Sequence, residues 1–160
     1  MKDVGYCSNP DEVELLEGVA ELLPKLKSAG FRLVIVTNQS GIGRGYFTEE
    51  DFWSVQHELE KQLGLGVIDS TYFCADTPEN ESERRKPNPG MLVEAARALR
   101  IDLSQSYMVG DKPSDTQAGI RAGVRATILF GTIAATGAME SGATLVAKNF
   151  SEVVEFILKG

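Results

Sequence analysis

Leu33-Val34-Ile35-Val36-Thr37-Asn38-Gln39-Ser40-Gly41 is an apolar run that breaks off into a hydroxyl, two amides and a glycine-bearing turn. Residues 32–36 are short, β-branched and apolar at consecutive positions, the pattern of a strand buried on both faces. Upstream, Val19, Leu22, Leu23 and Leu26 recur at helical spacing between Gly18 and Gly30, with Pro24 near the first turn or bending the helix. Downstream, Thr48-Glu49-Glu50-Asp51 has the form of an N-cap and an acidic first turn. Phe52, Val55, Leu59 and Leu63 then mark one apolar stripe.

The same alternation continues to the end of the chain. Strands are predicted around 71–73, 107–109, 126–130 and 145–147, and helices over 89–99, 114–122 and 150–159. Strands that alternate with helices imply an α/β fold with a mostly parallel sheet covered on both faces, a three-layer Rossmann-like arrangement. One domain spanning residues 1–160 is expected, with the charged loop 76–88 as a small cap. Such a sheet usually opens on a strand, whereas this chain opens on a turn-rich segment and a helix.

Composition narrows the partners. The chain has 42% hydrophobic and 24% charged residues and a formal net charge of −7, which argues against nucleic acid or an anionic membrane as the main partner. A local cluster of Lys and Arg can still attract a small anion. Cys7 and Cys74 form no Cys-x-x-Cys pair, and no apolar run approaches the ~18 residues of a membrane span, so a cytoplasmic protein with idle thiols is expected.

Polar clusters fall where strands end, which is where ligands bind in open parallel sheets. Thr37 and Asn38 follow the first strand and can present a hydroxyl and backbone N–H groups to a phosphate, although read alone they are an ordinary strand-to-loop turn. Gly41-Ile42-Gly43-Arg44-Gly45 is glycine-rich but opens no helix, and reads as a flexible flap with Arg44 available to a substrate. Lys86, in Arg85-Lys86-Pro87-Asn88-Pro89-Gly90, is expected to be held extended by the prolines and aimed at an anion.

Asp111 follows a strand through Gly110, which lets the backbone turn tightly. Asp115 either binds a hard cation or acts as an acceptor behind it, and Lys112 either is solvated or meets a substrate phosphate. Three such sets on three strand ends together indicate a phosphate and metal site. His57, the single histidine, belongs to the helix over 48–63 and is read as solvated or partly packed.

Val36-Thr37-Asn38-Gln39-Ser40-Gly41-Ile42-Gly43-Arg44-Gly45, Arg85-Lys86-Pro87-Asn88-Pro89-Gly90-Met91 and Met108-Val109-Gly110-Asp111-Lys112 resemble the haloacid-dehalogenase-like phosphatases, most closely the branch of heptose-bisphosphate and histidinol-phosphate phosphatases. The resemblance runs from Gly5-Tyr6 to the last helix. It implies a Mg²⁺-dependent phosphomonoesterase acting on a small phosphorylated metabolite such as heptose 1,7-bisphosphate or histidinol phosphate. It further implies that Thr37 and Lys86 serve catalysis, that Asn38, Arg44, Arg85 and Lys112 bind substrate, and that Asp111 and Asp115 serve the metal.

The chain departs from that family at one decisive point. The leading motif there is Asp-x-Asp at the tip of the first strand, and no Asp-x-Asp occurs in this sequence. Met1-Lys2-Asp3-Val4-Gly5-Tyr6 resembles the segment just after it. The expectation is therefore a core missing its first strand, with Met1 internal to a longer gene product. Without that strand the sheet would have unpaired backbone at its middle, and Mg²⁺ would lose two oxygen ligands. Ser82 and Arg84 stand where the branch often has zinc-binding cysteines, so no zinc is expected. A monomer is expected, or a dimer if a partner supplies the strand. A non-catalytic phosphate-binding or interaction protein, or an inactive truncated fragment, is the alternative.

Overall fold

The structure is a computed structural model that describes residues 7–80, 82–131 and 142–160. The segment Met1 to Tyr6, which resembles the stretch after the leading motif, lies outside the described residues, as does Glu81 in the expected cap loop. The chain falls into two compact units, Met1–Glu81 and Ser82–Gly160, with the boundary inside that loop. No helix among the described residues is long and apolar enough to cross a membrane.

In the first unit, helix α1 (Val19–Ser28) starts after Gly18, whose φ of 77° suits glycine, and continues through Pro24, which lies in the helix interior. Strand β1 (Val34–Asn38) is followed by the four-residue helix α2 (Ser40–Gly43), then by α3 (Glu49–Leu63) and strand β2 (Ser70–Cys74). Helix α3 begins at the predicted N-cap, which the structure closes as a capping box: Thr48 Oγ1 accepts from the Asp51 N–H at 3.2 Å, and the Asp51 carboxylate accepts from the Thr48 N–H at 2.8 Å. Its apolar stripe buries Phe52, Val55 and Leu63, with the Phe52 ring 4.8 Å from that of Phe73 on β2.

Strand β1 corrects the sequence expectation twice. It runs over 34–38, not 32–36, because β2 pairs with it in parallel from Val34 opposite Ser70 to Asn38 opposite Cys74. Thr37 and Asn38 therefore belong to the strand and do not follow it. Its residues are also half-buried, not buried on both faces. Both cysteines are buried and neither is in a disulfide: Cys7 packs with Val13 and Val55, and Cys74 ends β2.

At the opposite end of β1, Asp69 ties three elements together. It accepts from Lys27 Nζ of α1 at 2.7 Å, from the Leu33 N–H at 2.7 Å and from Arg32 Nη1 at 3.1 Å. Partial burial pushes its pKa up, but the donors from Lys27, Leu33 and Arg32 outweigh this and leave it lowered. A lowered folded pKa gives stability that is complete above the unfolded value and lost as pH falls through the folded one. Asp69→Asn is expected to cost roughly 2 kcal/mol near neutral pH. Urea unfolding should show that deficit shrinking below about pH 4; a deficit of constant size across the acid range would refute the assignment.

The second unit contains α4 (Gly90–Leu99), β3 (Tyr107–Gly110), α5 (Pro113–Ala122), β4 (Ala126–Phe130), β5 (Leu145–Ala147) and α6 (Phe150–Lys159). These elements lie within a residue or so of their predicted positions. The strands form one parallel sheet in the order β3-β4-β5. Central β4 is the buried strand, with Ile128 and Leu129 wholly inaccessible, as its unbroken apolar run requires. Helix α5 approaches β3 and β4 closely through Gly119, and Gly123 ends it in the left-handed conformation. Helix α6 buries Val153, Val154 and Ile157. Among the described residues the sheet orders are β1-β2 and β3-β4-β5.

Candidate active site

Each unit presents a polar cluster at the carboxyl ends of its strands. In the second unit the cluster is centred on Asp115, the third residue of α5, whose side chain is 5% exposed. Its Oδ1 lies 2.6 Å from Lys86 Nζ, and that lysine side chain is itself only 10% exposed. Its Oδ2 accepts from the backbone N–H groups of Asp111 at 3.1 Å and Lys112 at 3.0 Å. One buried carboxylate thus holds both the cation and the turn that carries Asp111. The structure brings Lys86, Asp111, Lys112 and Asp115 together; Asp111 is half-buried and the Lys112 side chain is exposed.

The need for Gly110 differs from what the sequence suggests. It closes β3 without a left-handed backbone. What excludes a side chain is space, since a Cβ on Gly110 would overlap the side chain of Asp115. The expected extended segment around Lys86 is also replaced: the Lys86–Pro87 bond is cis, and residues 83–88 fold into turns. Those turns are closed by Asn88 N–H to Arg85 O and Gly90 N–H to Glu83 O, both 2.8 Å. Arg85 is half-buried, and its N–H donates to Ser82 Oγ at 3.1 Å.

In the first unit, Thr37 Oγ1 accepts from Gln39 Nε2 at 3.0 Å, which leaves the hydroxyl proton to donate elsewhere. The Gln39 N–H extends the ladder to Cys74 O at 2.7 Å, and Cys74 Sγ donates to Asp76 Oδ2 at 3.2 Å. Gln39 is a site residue that sequence reasoning missed; its position two residues past Thr37 was the available signal. The glycine-rich stretch is not wholly a flap, because Ser40–Gly43 forms a helical turn. Arg44 beyond it is exposed and pairs with Glu79 at 3.3 Å, an interaction that an anionic ligand would displace readily. His57 is exposed on α3.

Among the described residues, no three His, Cys, Asp or Glu side chains converge as a metal-binding group. Asp111 offers the hard carboxylate oxygen that Mg²⁺ takes. Mg²⁺ is commonly held by one or two carboxylates completed by water and substrate phosphate. The residues present therefore suit Mg²⁺ as a site shared with a phosphate, not as a closed cage.

Residues 2–123 match the family of hydrolases described as haloacid dehalogenase-like hydrolase. A D-glycero-beta-D-manno-heptose-1,7-bisphosphate 7-phosphatase of Helicobacter pylori is 44% identical over 131 residues, covering 79% of this chain and 75% of the relative. That of Haemophilus ducreyi is 39% identical over 97% of this chain and 91% of the relative. The crystal structure of the D,D-heptose 1,7-bisphosphate phosphatase of B. bronchiseptica, complexed with magnesium and phosphate, superposes with a TM-score of 0.88 at 30% identity, covering 99% of this chain and 92% of that one. The strand-end carboxylates and buried lysine of this chain stand beside the family match and these relatives: the chain belongs to the haloacid dehalogenase-like hydrolases.

Proposed function

We propose that residues 1–160 form the phosphate-handling core of a Mg²⁺-dependent phosphomonoesterase for a small phosphorylated sugar. Heptose 1,7-bisphosphate, the substrate in the names of the relatives, is the first choice, and histidinol phosphate the second. The observation that carries this reading is the Lys86–Asp115 pair beside Asp111 at the end of β3. There a fixed ammonium and a hard carboxylate stand ready for a phosphoryl group and its counter-ion.

In this assignment Thr37 donates its hydroxyl proton to a phosphoryl oxygen, Asn38 binds a second, and Lys86 balances the charge that spreads over the oxygens in the transition state. Asp111 would hold Mg²⁺, which when bound supplies further positive charge to those oxygens. Asp115 aims Lys86 and fixes the Asp111 turn, so it serves the metal from behind. Arg44, Arg85 and Lys112 would meet the rest of the substrate, and a bisphosphate gives several cations a reason to be present on a chain of net charge −7. Loop 76–88 acts as a small cap, and the protein works as a cytoplasmic monomer.

The covalent mechanism needs a carboxylate that attacks phosphorus, and Asp-x-Asp is absent from this sequence. That observation favours a second reading, a non-catalytic phosphate-binding protein. Phosphatase assays with Mg²⁺ separate the two when run on the chain as it stands and on a form with an Asp-x-Asp strand joined ahead of Met1. Turnover only in the extended form supports the phosphatase. No turnover in either, with phosphate still bound, supports the binding protein.

A further inference from the structure

We propose that Arg121 is a positioning residue that holds the Lys86 loop on helix α5 and so fixes the ammonium against Asp115. The Arg121 Nη1 donates to Pro87 O at 3.2 Å and to Asn88 Oδ1 at 2.9 Å. Asn88 in turn donates from Nδ2 to Ser82 O at 2.8 Å, so the guanidinium grips both the residue after Lys86 and the amide that closes the loop. At the first turn of the same helix, Asp115 takes the Lys86 ammonium.

Two ties from one helix therefore set the loop, six residues apart in sequence and about 9 Å along the helix axis. A rigid helix transmits this constraint better than a loop could, and the flexible four-carbon lysine stem places its ammonium only as well as its backbone is held. An arginine at this position carries no known motif and looks in the sequence like a solvated C-terminal cation of α5. The structure gives it a specific task. The geometric tie stands by itself, and its value for phosphate chemistry rests on the phosphatase reading above.

The test uses the full chain with isotope-labelled lysine side chains followed by NMR, the Lys86 signal being identified by its loss in Lys86→Arg. Arg121→Ala should move that signal toward those of exposed lysines, and Arg121→Lys, whose ammonium can donate to the same two oxygens, should restore it. Arg125→Ala is the control, because Arg125 also spends its guanidinium on two acceptors, Gln105 Oε1 and Gly160 O, remote in sequence from the loop. It should lower stability by a similar amount without moving the Lys86 signal. An Arg121→Ala chain that unfolds earlier but keeps the parent Lys86 signal overturns the proposal. In the Asp-x-Asp-bearing form, misplacement of the ammonium should lower kcat for p-nitrophenyl phosphate by roughly 10- to 100-fold with KM little changed. Inorganic phosphate that leaves the parent Lys86 signal unmoved would sink the phosphatase reading while the Arg121 result stands.

Discussion

Lys86→Met should destabilise the protein by roughly 3 kcal/mol or more, the cost of leaving a buried carboxylate without its cation. Lys86 and Asp115 are 10% and 5% exposed and 2.6 Å apart, so solvent screens the pair poorly. After the substitution Asp115 keeps only the Asp111 and Lys112 N–H donors, which hold one of its two oxygens. Adding Asp115→Asn removes the stranded charge and should recover about half of the loss. A double-mutant cycle would then show coupling on the order of 2 kcal/mol. Activity should not follow stability back: in the Asp-x-Asp-bearing form both variants should lose roughly 100- to 1,000-fold in kcat, as expected when a preorganised cation is taken from the transferring phosphoryl group. A Lys86→Met chain as stable as the parent in urea would show that the pair is open to water in solution.

Gly110→Ala should cost roughly 3 kcal/mol and displace the turn that carries Asp111. The new methyl group meets the Asp115 Cβ, Cγ and Oδ2 at distances no pair of atoms tolerates. Asp115 cannot retreat without breaking its contacts to Lys86, Asp111 and Lys112. Gly30→Ala provides the contrast, since Gly30 has a φ of 93° and open space around its Cβ position. It should lose only the backbone penalty of about 1–2 kcal/mol. If Gly30→Ala proved the more damaging of the two, crowding at Asp115 would be refuted as the reason for Gly110.

Most elements were legible from local pattern alone. The runs at 126–130 and 145–147, the box Thr48-Glu49-Glu50-Asp51 and the helix ending at Gly123 report themselves because each depends on neighbours within a few residues. Strand β1 did not, in register or in burial: both depend on what packs alongside it, which residues distant in the chain supply. Lys86, Asp111 and Asp115 were legible as chemical types at strand ends. Their contacts were not: the sequence leaves Asp115 equally a ligand or an acceptor, and only the structure shows it meeting Lys86 and two N–H groups. Gln39, Asn88 and Arg121 stayed hidden, since an amide or a guanidinium in a loop or at a helix end has too many ordinary uses to stand out.

What the sequence determined by itself was the order of strands and helices, the chemical types of Thr37, Asn38, Lys86 and Asp111 near the strand ends, and the absence of any Asp-x-Asp pair. These follow from periodicity and side-chain type, which are local properties. Tertiary structure alone decided that β1 pairs with β2 from Val34 to Asn38, that Gly110 is required by the bulk of Asp115, and that helix α5 meets the Lys86 loop at two points. Those depend on atoms distant in the chain meeting within a few ångströms, and no spacing rule encodes a meeting that the packing of whole elements creates.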